Sequence, residues 1–376
     1  MFNIIFVLGT RPEAIKLAPL IKAFKYNDRF DVKVCSTGQH KEMLEQVLDF
    51  FDIKPDYELE VMKYNQGLSE LTGRLLGKIE DILSSYTPDF VFVQGDTTTA
   101  FVGALSAFYK KIPVVHIEAG LRSFDKYSPF PEEINRILVG HIARYHFAPT
   151  KKAQQNLYAE GVKDNVYVVG NTVIDALFMG LDVIEKNASL KTKIEGYFDK
   201  VINRKDSKII LVTAHRRESF GKPFENMCSA IKRIAKHFDD VEIIYPVHLN
   251  PNVRKPVFEI LGNMENIHLI EPLDYPKLIW IMNRSYIVVT DSGGIQEEAP
   301  ALGKPVLVLR DVTERTEGID AKTAKLVGTN EDKIFNAISG LLENRGAYLE
   351  MAKAVNPYGD GKTSERILNT IDNKLR

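Results

Sequence analysis

The 376-residue chain has little cysteine, little tryptophan and no excess of charge. Its two cysteines, Cys35 and Cys228, lie too far apart to suggest a disulfide framework or a zinc cluster, which favours a reducing, cytoplasmic location. No apolar run approaches the roughly 20 residues of a membrane-spanning helix, and the apolar N-terminus lacks the basic start of a secretory signal. The 49 Lys and Arg against 50 Asp and Glu argue against a nucleic-acid-binding protein and a polybasic membrane binder.

Signatures of cofactors are also missing. No Gly-x-Gly-x-x-Gly follows the first predicted strand, so no dinucleotide is expected. Residues 356–363 end like a phosphate-binding P-loop, but Asn356 replaces its first glycine and no strand is predicted before it. His116 and Glu118, expected on one face of a strand, have no evident third ligand nearby. We therefore expect neither a metal nor a cofactor.

The dominant pattern is the alternation of short apolar runs with longer amphipathic stretches, which predicts βαβ units and parallel sheets covered by helices on both faces. The predicted strands are 3–8, 32–36, 89–94, 114–118, 145–148, 166–169, 208–213, 241–246, 268–270, 286–290 and 306–309. The predicted helices are 13–25, 68–84, 98–109, 132–143, 224–237, 277–283, 295–302 and 332–343.

A polar, lysine-rich stretch at residues 185–206 separates two such α/β halves. At about 150 residues per domain, the length also favours two domains. We expect two Rossmann-like, doubly wound domains facing a central cleft. In such sheets ligands bind outside the carboxyl ends of the strands, so the residues that follow each strand are the first candidates for a site.

In the first half, these strand ends combine cations and carboxylates. Arg11 and Lys16 lie at a helix start, where they indicate either a phosphate clamp or an ordinary solvated helix end. Asp96 taken alone favours a helix cap, with an acid/base group as the alternative. Glu118 ends an apolar strand, which makes it a candidate for a perturbed carboxylate.

A third carboxylate of the first half follows Pro131, a residue suited to opening a helix. Glu132 and Arg136 have i, i+4 spacing on that helix. The pair indicates either a surface salt bridge or a carboxylate oriented by its arginine.

In the second half, the strand ends are cationic and glycine-rich. They include Ser292-Gly293-Gly294 at a helix start, where exposed backbone N–H groups suit phosphate, with Glu298 further along the helix as a candidate acceptor for ribose hydroxyls. The cationic candidates are His215, Arg216, Arg217, His248 and Arg315. Together the two halves suggest an anionic nucleotide on one side and acid/base chemistry on the other.

The motifs at these positions resemble those of the non-hydrolysing UDP-N-acetylglucosamine 2-epimerases and span nearly the whole chain. They are Gly9-Thr10-Arg11-Pro12-Glu13, Thr37-Gly38-Gln39-His40, Gly95-Asp96-Thr97-Thr98, residues 116–122, 131–136, 215–218 and 291–298, and Asn356-Pro357-Tyr358-Gly359-Asp360-Gly361. The resemblance implies a GT-B-like pair of domains. Residues 1–170 with a returning helix at 358–376 would form the first domain, and 171–357 the second.

The resemblance also implies an activity: reversible inversion at C2 of UDP-GlcNAc to give UDP-ManNAc, by elimination of UDP to a 2-acetamidoglucal and re-addition. It implies no cofactor, a cytoplasmic homodimer, and a supply of precursor for surface polysaccharides. The alternatives are a hydrolysing 2-epimerase that releases ManNAc and UDP, a GT-B glycosyltransferase, and a nucleotide-sugar sensor without catalysis.

The resemblance further assigns roles to single residues. The implied acid/base set is Asp96, Glu118 and Glu132, with Lys16, Arg136 and His248 in support. The implied UDP ligands are Arg11, His215, Ser292, Gly293, Gly294, Glu298 and Arg315. Gln39, His40, Gln66 and Arg217 resemble an allosteric UDP-GlcNAc site, although Asn65 and Gly67 depart from the residues common there.

Overall fold

The computed structural model describes residues 1–38, 41–62 and 66–375, which form two compact units. The first unit comprises Met1–Met179 and Tyr358–Arg376, and the second comprises Gly180–Pro357. Each unit is built around its own sheet.

The strands, in chain order, are Phe2–Leu8 (β1), Phe30–Ser36 (β2), Tyr57–Glu58 (β3), Phe90–Gln94 (β4), Val114–Ile117 (β5), Tyr145–Ala148 (β6), Val166–Val168 (β7), Lys208–Thr213 (β8), Val241–Pro246 (β9), Ile267–Ile270 (β10), Ile287–Thr290 (β11), Val306–Val308 (β12) and Ala324–Leu326 (β13). The helices are Arg11–Lys25 (α1), Lys41–Phe50 (α2), Leu68–Tyr86 (α3), Thr98–Tyr109 (α4), Glu132–Ile142 (α5), Lys151–Ala159 (α6), Thr172–Lys186 (α7), Ala188–Phe198 (α8), Lys222–His237 (α9), Pro251–Leu261 (α10), Tyr275–Arg284 (α11), Gly293–Ala301 (α12), Thr316–Asp320 (α13), Glu331–Glu343 (α14), Arg345–Ala352 (α15) and Thr363–Lys374 (α16). A short 3₁₀ segment covers Arg217–Ser219.

Both sheets are parallel, and both reverse their strand order near the middle. The first sheet has the order β3-β2-β1-β4-β5-β6-β7, and the second has the order β10-β9-β8-β11-β12-β13. The chain therefore moves outward from β1 and then returns to its other side with β4, and it repeats this course with β8 and β11. These reversals confirm the predicted class of two Rossmann-like doubly wound domains, and each creates a crevice at the carboxyl ends of two central strands.

The sequence did not predict the two edge strands β3 and β13. They have two and three residues, too few to show a strand period, and each carries an exposed charged residue, Glu58 or Lys325. The predicted strand 114–118 is one residue too long, because Glu118 adopts a φ of +62° beyond the end of β5. His116 and Glu118 therefore do not lie on one face of a strand.

The polar stretch at 185–206 is more than a connector. It contains α8, whose Ile194 and Phe198 are buried. The ring of Phe198 stacks on Trp280 of α11 with centroids 4.9 Å apart. This aromatic contact anchors the stretch in the second unit.

The two cysteines are free and buried. Cys35 lies in the core of the first unit and Cys228 in that of the second. No helix in the described ranges has the length and apolar character needed to cross a membrane.

Helix α16 belongs to the first unit, although nearly the whole second unit precedes it in the chain. Asp175 of α7 accepts hydrogen bonds from the backbone N–H groups of Thr363 and Ser364, at 3.2 and 2.7 Å. Burial raises the pKa of this carboxyl, although the hydrogen bonds oppose the rise. The contacts satisfy N–H groups that the first turn of a helix cannot satisfy itself, and they place Asp175 with the first unit.

We expect Asp175→Asn to lower the free energy of unfolding by about 1–3 kcal/mol, because an amide NH₂ would replace one acceptor opposite a buried backbone N–H. Urea denaturation measures the change. Asp182→Asn, an exposed change on the same helix, serves as the control. Equal stability of the two variants would show that this cap does not hold α16.

Candidate functional site

In the first unit, Gly9 after β1 packs directly against the residue that follows β2 and against the start of α4. A Cβ on Gly9 would lie 2.2 Å from Thr37 Oγ1 and 2.4 Å from Thr99 Oγ1, so only glycine fits there. The hydroxyls of Thr37 and Thr99 are 3.0 Å apart. The chain segments after β1, β2 and β4 are therefore packed together.

Glu13 joins the loop after β1 to the loop after β4, a role that the sequence did not reveal. Its buried carboxylate accepts the N–H groups of Gly9 and Thr10, at 3.0 and 2.7 Å, and the hydroxyl of Thr97 at 2.6 Å. Burial raises its pKa, although these hydrogen bonds lower it. The sequence signal that could have revealed this role of Glu13 is the Thr10-x-x-Glu13 spacing of a capping box.

Asp96 is not the helix cap that its sequence position alone favours. Thr97 is the N-cap of α4, and its side chain accepts from the N–H of Ala100 at 3.0 Å. The Asp96 carboxylate instead pairs with Arg136, and Asn135 donates to the Asp96 backbone oxygen at 2.9 Å. Asp96 is therefore positioned by α5.

The expected pairing of Glu132 with Arg136 is wrong. Arg136 contacts Asp96 and, at 3.1 Å, Glu133, which itself accepts backbone N–H groups of the preceding loop. Oε2 of Glu132 is buried and has no hydrogen-bond partner within the described residues. An unsatisfied buried carboxyl oxygen is uncommon, and it leaves Oε2 of Glu132 able to accept a hydrogen bond from a ligand.

Glu118 is surrounded by donors. Its carboxylate accepts from Lys16 Nζ at 2.6 and 2.7 Å, from Gln94 Nε2 at 2.5 Å and from Asn171 Nδ2 at 2.8 Å. Lys16 therefore forms an ion pair with Glu118, a contact that the interpretation as a phosphate clamp did not include. Gln94 and Asn171 had not been predicted as part of the site, because no local motif marks them.

His116 serves this site as a buried anchor. Its Nε2 lies 2.8 Å from the carbonyl oxygen of Gly95 and donates to it, which fixes the loop that carries Asp96. Burial lowers the pKa of His116 to about 3 and that of its cross-strand neighbour His146 to about 4, so both rings are neutral near pH 7. Within the described ranges, no group of three or more His, Cys, Asp or Glu side chains is arranged to hold a metal ion.

In the second unit, Asp291 organises the corresponding strand reversal. This buried residue after β11 accepts the N–H groups of His215 and Arg216, at 2.6 and 2.7 Å. His215 is partly exposed, and its ring stacks on that of His248 with centroids 5.3 Å apart. Desolvation and the neighbouring His215 lower the pKa of His248.

Next to these histidines, helix α12 begins with Ser292 as N-cap, followed by Gly293 and Gly294, as the sequence predicted. An open concavity of about 430 Å³ is lined by His215, Arg216, Arg217, His248, Asn250, Ser292 and Gly293. A helix N-terminus beside two arginines is suited to an anion such as a diphosphate.

The other predicted ligands of the second unit lie around α12. Arg315 donates from Nε to Glu297 at 2.8 Å. Glu298 is buried, with the Tyr275 hydroxyl 3.5 Å from its Oε1, and a Cβ on Gly294 would lie 3.7 Å from its Oε2. Glu298 is therefore close to the start of the helix. Arg11, in the first unit, is the first residue of α1.

Of the four residues assigned to an allosteric site, Gln39 and His40 lie outside the described residues. Gln66, in the first unit, accepts from Arg74 at 3.0 Å. Arg217, in the second unit, is exposed in the 3₁₀ segment and lines the concavity. The allosteric assignment stays a prediction.

The chain is similar over nearly its whole length to the members of one protein family. Residues 22–372 match the family profile described as UDP-N-acetylglucosamine 2-epimerase. The UDP-N-acetylglucosamine 2-epimerase of Yersinia pestis is 52% identical over 372 residues, which are 99% of this chain and 98% of that protein.

Solved structures agree with this match. The UDP-GlcNAc 2-epimerase from Neisseria meningitidis bound to UDP-GlcNAc is 48% identical, with a TM-score of 0.90 and coverage of 99% of this chain and 100% of that one. The UDP-GlcNAc 2-epimerase of Methanocaldococcus jannaschii, in complex with UDP-GlcNAc and UDP, is 37% identical, with a TM-score of 0.80 and 99% of both chains covered.

The neutral, buried His116 predicts that stability depends on pH. Its pKa is about 3 in the folded chain and near 6.5 when unfolded, so the unfolded chain binds more protons between these values. The contribution of the neutral His116 ring to stability is therefore fully present above about pH 6.5 and is lost as the pH falls towards 3. His116→Gln keeps a donor for Gly95 and should reduce the loss between pH 7 and 4 by about 2–3 kcal/mol.

Urea denaturation at several pH values measures this difference, with His237→Gln, a change of an exposed histidine on α9, as the control. A His116→Gln variant as pH-sensitive as the unaltered chain would contradict the role of the buried ring.

Proposed function

Because the chain belongs to the UDP-N-acetylglucosamine 2-epimerase family, we propose that it interconverts UDP-GlcNAc and UDP-ManNAc without net hydrolysis. The observation that carries this proposal is the division of chemical groups between the units. Carboxylates gather at the strand ends of the first unit, while cations and a helix N-terminus gather at those of the second. An elimination that expels a diphosphate needs both kinds of group.

The reaction proposed is elimination followed by addition. A base removes the proton from C2 while the bond between C1 and the diphosphate oxygen breaks, which gives UDP and 2-acetamidoglucal. UDP then adds back to C1 as a proton reaches C2 from the opposite face, so atoms and charge balance without a cofactor. Elimination avoids a C2 carbanion, which no neighbouring carbonyl would stabilise.

The second unit is proposed to stabilise the departing UDP. Charge develops on the diphosphate oxygen as the C1–O bond breaks, and donors placed in advance stabilise such charge most effectively. The proposed diphosphate and uridine ligands are Arg11 of the first unit and His215, Ser292, Gly293, Gly294 and Arg315 of the second, with Glu298 on the ribose and His248 in support.

The first unit is proposed to transfer the protons. Asp96, Glu118 and Glu132 form the acid/base set, supported by the cations Lys16 and Arg136 that contact two of them. The unpartnered Oε2 of Glu132 favours a direct role, since it satisfies no internal hydrogen bond that a ligand would have to break.

The family resemblance also supports a proposal about oligomeric state, location, pathway and activation. We propose a cytoplasmic homodimer that supplies UDP-ManNAc for surface polysaccharides, with Gln39, His40, Gln66 and Arg217 at a second UDP-GlcNAc site that activates it. Light scattering measures the oligomeric state, and the dependence of rate on UDP-GlcNAc concentration measures activation.

Incubation with UDP-GlcNAc in D₂O tests the overall reaction. We expect deuterium at C2 of both UDP-sugars, with no free ManNAc, because UDP is not released between the steps. Mass spectrometry and NMR identify the products. Free ManNAc as the main product would indicate the hydrolysing reaction, and turnover that requires an added acceptor would indicate a glycosyltransferase.

Asp96→Asn tests the acid/base assignment. The amide cannot take or give the proton, so we expect kcat to fall about 10²–10⁴-fold while UDP still binds. Asp52→Asn, which neutralises an exposed carboxylate of the same unit, is the control for charge and folding. Near-normal turnover by Asp96→Asn would remove Asp96 from the acid/base set.

A further inference from the structure

A carboxylate of the second unit lies beside the helix N-terminus that is proposed to bind the diphosphate. A Cβ built on Gly293, the first residue of α12, would be 3.4 Å from Oε1 of Glu314. The partial positive charge at this helix end attracts any anion, including a side chain of the protein itself.

Three guanidinium groups surround the same carboxylate. Arg310 Nη1 is 2.8 Å from Oε2, and Arg315 Nη1 and Arg216 Nη2 are 3.5 and 3.7 Å from Oε1. Burial raises the pKa of Glu314, but the charges of Arg315 and Arg310, together with hydrogen bonds, outweigh it and lower the pKa to about 2. Glu314 is thus an anion at any pH near neutrality.

Two of these arginines do not depend on Glu314 for their position. Arg315 donates from Nε to Glu297 at 2.8 Å. Arg216 donates from Nε to the backbone oxygen of Asp291 at 3.0 Å, and its own N–H is bound by the Asp291 carboxylate at 2.7 Å. Removing the charge of Glu314 therefore leaves both guanidinium groups anchored.

We infer that Glu314 is an internal anion that competes with the diphosphate of the ligand for the start of α12 and its arginines. The inference rests on the proposed function, which places UDP at this helix. A diphosphate entering here must displace the carboxylate or accept its repulsion, and either cost weakens binding. Glu314 would thus limit the affinity of the second unit for UDP.

The competing interpretation, that Glu314 orients the arginines for the ligand, predicts an effect of opposite sign. Loss of an orienting carboxylate weakens binding, whereas loss of a competitor strengthens it. The sign of the change in affinity therefore separates the two interpretations.

The test is titration calorimetry of the purified full chain with UDP, comparing Glu314→Gln with the unaltered protein. We expect the Kd for UDP to fall about three- to tenfold, and Glu314→Ala to change it in the same direction. Glu195→Gln is the matched control, because it also removes a carboxylate paired with an arginine, Arg284, but lies on α8. Its Kd should equal that of the unaltered chain.

Circular dichroism and thermal unfolding confirm that each variant folds. If Glu314→Gln does not fold, Glu314→Ala provides the affinity measurement. Unchanged or weaker UDP binding by the folded Glu314 variants would overturn the inference and leave the proposed function standing. Failure of the unaltered chain to bind UDP would overturn both.

Discussion

The same interaction fixes one loop in each unit: a buried carboxylate accepts two successive backbone N–H groups after the first strand of the sheet. In the first unit, Glu13 accepts from Gly9 and Thr10, and in the second, Asp291 accepts from His215 and Arg216. Each fixes the loop at a strand reversal, where otherwise the N–H groups would require water or a ligand. The fixed loops also fix the backbone from which the side chains of Arg11 and His215 extend.

This shared arrangement supports opposite chemistry in the two units. The first unit adds Glu118, Asp96 and Glu132 around its fixed loop, with Lys16 and Arg136 balancing two of the charges. The second adds arginines, paired histidines and the start of α12. A formal net charge of −1 therefore conceals a separation of charge types that the composition does not reveal. Within the second unit the separation is incomplete, since Glu314 lies among the cations.

The sequence predicted the central strands well because strands such as β1 and β8 are apolar on both faces and end at glycine or polar residues. It also predicted the start of α12 at Ser292-Gly293-Gly294, since that signal is local. It was wrong about Asp96 as a helix cap and about the partner of Arg136, because spacing along one helix does not reveal a carboxylate from another loop that reaches the same guanidinium. Asn171 and Gln94 were missed for a similar reason, as they contact Glu118 across 53 and 24 residues.

The C-terminal segment, which superficially resembles a P-loop, has a structural connection to the same carboxylate. The N–H of Asn171 donates to the backbone oxygen of Tyr358 at 2.6 Å, while its side-chain amide donates to Glu118 at 2.8 Å. A Cβ on Gly170 would lie 2.7 Å from Thr363 Oγ1, so the chain before Asn171 can approach the start of α16 this closely only as glycine. Gly170 thus allows this close packing in the first unit. Through Asn171, the return of α16 fixes one of the donors that hold Glu118, which links the end of the chain to the proposed acid/base set.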